Sequence, residues 1–180
     1  MLDFMVIGLP RSGTTWVTNW LTTDRSHCVH DPLYLTHYAD WDTDPRFYHG
    51  EGVLTGVACT GIWRWVDWVN SHPARKLVIH RNEVDVNNSL IALGLPPVER
   101  NAARSLAKLT GLHVPHADIF DQGKAAGIWE YLLPGVPFNP ARHRELVNMR
   151  VQPAFERIRV NRDVTKHLLC ELESAAVRGC

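Results

Sequence analysis

The residues with the clearest chemical content lie in "GLPRSGTTW", Gly8 to Trp16, between the apolar run "LDFMVI" and "VTNWL". The nucleotide-phosphate pattern G-x-x-x-x-G-K-[ST] finds its glycines at Gly8 and Gly13 and its hydroxyl at Thr15, but Thr14 stands where the lysine belongs. The backbone logic survives that change. Glycines permit the tight turn, and amide N–H groups at the start of a following helix point at an anion. What is lost is the cation that reaches the β- and γ-phosphates, so a kinase or ATPase reading loses much of its support. Arg11, three residues before that position, puts a cation back inside the loop, placed for a group leaving from the 5′ end of a nucleotide.

A second segment, "KLVIHRNEVDVNNSL", has the same flavour. An apolar strand ends at Arg81, a short turn follows, and Ser89 stands eight residues on, about two turns into a helix. Ligands of open α/β sheets bind at the carboxyl ends of strands, where a long guanidinium and a short hydroxyl can converge on one phosphate. Arg81 alone reads equally well as a surface salt bridge and Ser89 alone as a solvent-facing position. The two in order, behind the first loop, favour anion binding.

The rest of the chain must position these groups. Leu2 to Ile7 reads as a buried strand stopped by Gly8, and Trp16, Val17, Trp20 and Leu21 fall at helical spacing over Thr14 to Thr22. "SHCVHDP", "GVLTGVAC", "KLVIH" and "LHVPHADIF" read as further strands. "IWRWVDWVN", Glu83 to Leu93, Val98 to Leu109 and Lys124 to Leu133 read as helices. Pro32 to Gly52 is aromatic and acidic with little period and reads as an irregular excursion, a substrate loop or lid. Asn139-Pro140 starts another helix, with a capping side chain and proline in the first helical position, and the tail from Pro153 reads as helical. Alternating strands and helices predict an α/β fold of three layers, a mostly parallel central sheet flanked by helices. One domain over residues 1–180 is expected, its C-terminal part from about 140 helical.

With both motifs in view, the chain resembles the sulfotransferases that use 3′-phosphoadenosine 5′-phosphosulfate (PAPS). "PRSGTTW" is similar to their 5′-phosphosulfate loop, in which the cytosolic members carry lysine at the place of Arg11 and other branches carry arginine. The segment with Arg81 and Ser89 is similar to their 3′-phosphate segment. The resemblance covers about the first 95 residues and extends weakly to "HVPHADIFD…IWEYL". It implies a P-loop-like fold and in-line transfer of a sulfuryl group to an acceptor hydroxyl or amine, leaving adenosine 3′,5′-bisphosphate without any metal. Arg11 would then stabilise the leaving oxygen, Ser12, Gly13, Thr14 and Thr15 would hold the 5′-phosphate, Trp16 would be a further cofactor-binding residue, and Arg81 and Ser89 would hold the 3′-phosphate.

The resemblance also implies a general base. The cytosolic members' histidine after a lysine-threonine pair has only "CTG", Cys59 to Gly61, as counterpart. Another branch uses a glutamate shortly after the first helix, near where Asp31 falls. Asp31 is the first candidate and His37 the second, with His30 and Glu51 behind them. Asp31 also reads as a turn-forming Asp-Pro. Arg142, Arg144 and Arg150 offer further cations toward the 3′-phosphate, although the family's late basic-glycine motif is missing there. Trp63, Trp65 and Trp68 read first as core and second as an adenine or acceptor platform. The acceptor, a small molecule, carbohydrate or peptide, is left open. So are a kinase or NTPase acting on a small metabolite or nucleotide, and a non-catalytic nucleotide-binding relative.

Composition narrows the classes further. With 180 residues, 45% hydrophobic and 21% charged, the chain is expected to fold around a core. A formal net charge of zero removes any bulk attraction to nucleic acid or to a membrane surface, and neither is expected as a partner. Charge is uneven, with five acidic residues and only Arg46 basic from Asp31 to Glu51, and an arginine-rich C-terminal part. Cys28, Cys59, Cys170 and Cys180 form no CxxC pair and read as reduced thiols of a cytoplasmic protein. The first apolar stretch is too short for a signal peptide, and no run reaches the length of a membrane span. His27/His30 and His113/His116, each separated by two residues, point to opposite faces of a strand and read as ordinary polar positions, so no metal site is expected.

Overall fold

The computed structural model describes residues 1–149, 166–168, 170–172 and 174. Five strands form one parallel sheet: β1 (Phe4–Gly8), β2 (Ser26–His30), β3 (Leu54–Cys59), β4 (Arg75–His80) and β5 (Leu112–Pro115). The spatial order is β2-β3-β1-β4-β5, with Val6 opposite Ala58 on one side and Leu77 on the other. β1 is buried at every residue, as expected of a central strand covered on both faces.

The helices are α1 (Thr14–Leu21), α2 (Val66–Ser71), α3 (Glu83–Ile91), α4 (Ala102–Ala107), α5 (Gln122–Leu132) and α6 (Pro140–Asn148). They divide between two cores. On one face Phe4, Val6, Leu77 and Ile79 pack with Trp16, Trp20 and Leu21 of α1 and with Ile128, Trp129 and Leu132 of α5. On the other face Met5, Ile7 and Val78 pack with Val69 of α2, Val86 and Leu90 of α3, Leu106 of α4, and Trp41 and Phe47 from the excursion between β2 and β3. Period-two alternation along the strands thus feeds both layers, and each large side chain taken fully from water contributes about 1.5–3 kcal/mol. Gly56 of β3 is one place where only glycine fits, because a methyl group there would overlap the Phe4 ring of the neighbouring strand.

The three-layer α/β architecture is the one the alternating pattern predicts. The departures are local. "IWRWVDWVN" is not one helix but a 3₁₀ turn, Ile62–Arg64, followed by α2, with Trp65 at φ −107°, ψ 61° between them. The helix read from Val98 begins only at Ala102, since Asn87 Oδ1 of α3 takes the Val98 amide at 2.9 Å and holds that stretch as loop. The excursion after β2 carries three short 3₁₀ turns, Pro32–Tyr34, Tyr38–Asp40 and Pro45–Phe47. Residues 153–165 of the helical tail lie outside the described residues, and those described between 166 and 174 are helical. Among the described residues no helix is long and apolar enough to cross a membrane.

Candidate functional site

The strand order reverses at β1. The chain leaves β1 toward β2 on one side of the sheet and leaves β4 toward β5 on the other. The crevice outside the carboxyl ends of β1 and β4 is therefore the switch point at which open α/β sheets take ligands. The loop Leu9–Gly13 follows β1 there, and Arg81 follows β4.

Loop geometry comes from two left-handed residues flanking Ser12. Arg11 has φ 67° and Gly13 φ 81°. For arginine this is an uncommon conformation that surrounding structure must hold, and turns of this kind gather consecutive N–H groups into an anion-binding concavity. Gly13 is the second position that requires glycine, because a methyl group there would also stand 2.9 Å from Ile119 Cδ1. α1 begins immediately after it without a side-chain cap. α3, α5 and α6 are each capped by a side chain, of Asn82, Asp121 and Asn139, whereas α2 and α4, like α1, are not. Ser12 is fully buried, and its hydroxyl is a buried polar atom without a hydrogen-bond partner among the described residues. A buried hydroxyl left in that state costs about 1–3 kcal/mol.

Two distant segments reach the loop. Arg11 Nε donates to Ser89 Oγ of α3 at 3.0 Å, and Arg81 Nη1 donates to the Arg11 carbonyl. Arg11, Arg81 and Ser89, read from two separate motifs, thus form one cluster. On the β2 side His30 Nε2 lies 3.2 Å from Thr14 Oγ1, 3.0 Å from Thr15 Oγ1 and 3.5 Å from Asp31 Oδ2. On the β5 side His116 Nε2 would stand 3.5 Å from a methyl group at Gly13. Burial lowers the pKa of His116, the nearby Arg81 charge lowers it further, and Asp85 opposes them.

Other expected groups are engaged differently. Asp31, left-handed at φ 44°, accepts from the Thr60 amide at 2.6 Å and the Thr60 hydroxyl at 3.0 Å through one oxygen, which ties the ends of β2 and β3 together. His37 is turned toward Glu171, with Nε2 3.0 Å from Oε1, and its ring packs on Tyr38 and His167. The Trp16 indole donates to the Leu146 carbonyl at 2.9 Å and packs on Trp20, Phe120 and His143, so its side chain is engaged in the core and not at the loop. Trp63 is core, its indole bonded to the Thr60 carbonyl at 2.8 Å, while Trp65 and Trp68 pack around Tyr38. Glu51 is exposed on a turn.

Arg142 does not approach a phosphate site at the loop. Its guanidinium donates to the carbonyls of Asn19, Trp20 and Thr22, at the opposite end of α1. Arg144 is exposed, and Arg150 lies outside the described residues. A cavity of about 530 Å³ also lies at that far end, lined by Trp20, Arg25, Trp129 and Arg142 among others. It contains none of the loop residues, and the chemistry of the donors, rather than cavity size, marks the loop as the site.

His30 and His116 are the residues that spacing alone undervalued. The usable signal was their place at the carboxyl ends of β2 and β5, the edge of a parallel sheet where ligands bind. Comparison with family models, with curated proteins and with solved structures gave no match. What the fold and site define is a class: a three-layer α/β protein with a glycine-containing loop-to-helix turn at the switch point of its sheet.

Proposed function

We propose that the chain is a sulfotransferase that takes a sulfuryl group from PAPS and passes it to an acceptor hydroxyl or amine. The observation that carries this reading is the meeting of Arg11 with Ser89 and Arg81, residues 78 and 70 positions away in sequence. A loop that lacks the triphosphate lysine but holds an arginine beside a second arginine–serine pair suits two separate anions better than one triphosphate chain.

The residues present fit such a ligand. The uncapped start of α1 and the partnerless Ser12 hydroxyl are donors awaiting an acceptor. Bound PAPS would supply a sulfuryl group on a good leaving group. Donors aimed at the leaving oxygen should give most of the protein's help. The loop amides, Thr14 and Thr15 hold the 5′-phosphate, and Arg11 faces the charge that develops on the bridging oxygen. Arg81 and Ser89 hold the 3′-phosphate. The acceptor loses its proton as the new S–O or S–N bond forms. His30, whose Nε2 lies beside both threonine hydroxyls, is the base assigned to that step, with Asp31, one oxygen of which is held by Thr60, as the alternative.

A thermal-shift titration with adenosine 3′,5′-bisphosphate, ATP·Mg and no ligand tests the reading by mass action. Stabilisation by the bisphosphate alone is expected. Stabilisation by ATP·Mg and not by the bisphosphate assigns the chain to the kinases instead. A bisphosphate-stabilised chain that forms no adenosine 3′,5′-bisphosphate from PAPS with any acceptor tried is a binding relative and not an enzyme.

A further inference from the structure

A second cluster lies where the excursion after β2 meets the C-terminal helical segment. His37, His167 and Glu171 bring one ligand atom each to within 4.8 Å of one another. Glu171 Oε1 is 3.0 Å from His37 Nε2 and 3.6 Å from His167 Nε2. Donors about 2.0 Å from a tetrahedral ion are themselves roughly 3.3 Å apart, which is the scale of this triangle. His167 and Glu171 are one helical turn apart, so they share a face, and His37 is presented by the 3₁₀ turn Tyr38–Asp40 that it caps.

We propose that these three side chains form a binding site for a divalent ion of the zinc class. Two imidazole nitrogens and one carboxylate oxygen exclude calcium and magnesium as the preferred occupant and suit zinc, with a fourth position left for water. A second observation points the same way. Glu171 Oε2 is a buried oxygen that no donor among the described residues reaches in good hydrogen-bond geometry, although the Tyr38 hydroxyl interacts with the same carboxylate, and an adjacent cation would relieve that shortfall. The surroundings are aromatic. Tyr38 packs on Trp65 and Trp68.

The ion would act as a clasp between segments 134 positions apart. Binding has one local cost. The Ala39 amide now donates to His37 Nδ1 at 3.3 Å, which leaves the ring proton on Nε2. Ligation through Nε2 moves that proton to Nδ1 and gives up a contact that is already long and weak. Sulfuryl transfer calls for no metal, so this proposal stands or falls separately from the proposed function.

The test is a calorimetric titration of chelator-stripped full-length protein with Zn²⁺ alone, followed by Co²⁺ for its absorption bands. Expected are one equivalent of Zn²⁺ per chain, a higher melting temperature with Zn²⁺, and Co²⁺ bands of a four-coordinate ion. Glu171→Gln and His167→Ala should each weaken binding at least tenfold. His167 is largely exposed, so its replacement leaves folding intact and the loss is read as loss of a ligand. Absence of saturable Zn²⁺ binding overturns the proposal. So does one equivalent bound with unchanged affinity in both variants, which moves the ion elsewhere, for example to the His80–His113 pair at 2.7 Å.

Discussion

At its carboxyl end α1 delivers the carbonyls of Asn19, Trp20 and Thr22 to the single guanidinium of Arg142, and the neighbouring Leu21 carbonyl to the Ser26 hydroxyl. At its amino end, about 12 Å away by helix rise, the same helix has no side-chain cap, a left-handed glycine, and a buried serine hydroxyl with nothing to bind. A fold that finishes one end of a helix so completely can finish the other. The open end is the one that faces the switch point of the sheet and collects Arg11, Arg81, Ser89, His30 and His116. The contrast teaches that unsatisfied donors are better evidence of a site here than cavity volume, since the 530 Å³ cavity lies at the finished end.

Replacing residues at each end should break the comparison in opposite senses. The largest expected effect is from Arg11→Ala, which should lower turnover from PAPS about 10²–10³-fold if its guanidinium faces the leaving oxygen. Initial rates against wild type read this directly. Gly13→Ala should come next. It forces a side chain into left-handed backbone and against Ile119 Cδ1, and chemical denaturation should show a loss of roughly 1–3 kcal/mol together with loss of bisphosphate-induced stabilisation.

Arg142→Ala should cost about 1.5–3 kcal/mol of stability by removing the charged cap, yet leave the bisphosphate-induced shift intact. Ser12→Ala should do the reverse. Without its partnerless hydroxyl the free protein should be unchanged or up to about 1 kcal/mol more stable, while bisphosphate affinity falls. If Ser12→Ala destabilises the free protein and spares binding, the two ends of α1 are not different in kind.

The smallest effect is on pH dependence. His80 and His116, both at the site end, have pKa values lowered first by burial and then by His113 and Arg81 respectively. The unfolded chain therefore takes up protons near the ordinary value of about 6.5 before the folded chain does, so stability falls as pH drops below that value. Melting temperatures from pH 7.5 to 5.5 should decline, and His113→Gln should flatten the slope by removing one neighbour of His80.

Legibility followed range. β1 and β4 were the most readable strands because each is a short apolar run with a clear stop, at Gly8 and at Arg81. Arg11, Arg81 and Ser89 were readable because each sits at a fixed offset from its own strand. What local spacing does not encode is a partner far along the chain. Arg142 looked like a phosphate ligand because nothing in its neighbourhood says that three carbonyls 120–123 positions earlier need a donor. His37 looked like a base because Glu171 is 134 positions later. The break at Trp65 and the late start of α4 have the same origin, since tertiary contacts such as Asn87 with Val98 override local helical spacing.

The central claim is two anion pockets for one bisphosphorylated adenosine. It is tested most directly by calorimetric titration of adenosine 3′,5′-bisphosphate against adenosine 5′-monophosphate, in wild type and in Ser89→Ala. The account predicts at least tenfold tighter binding of the bisphosphate by wild type and a gap that narrows in the variant. Equal affinity of wild type for the two nucleotides, or a gap that Ser89→Ala leaves untouched, would contradict it.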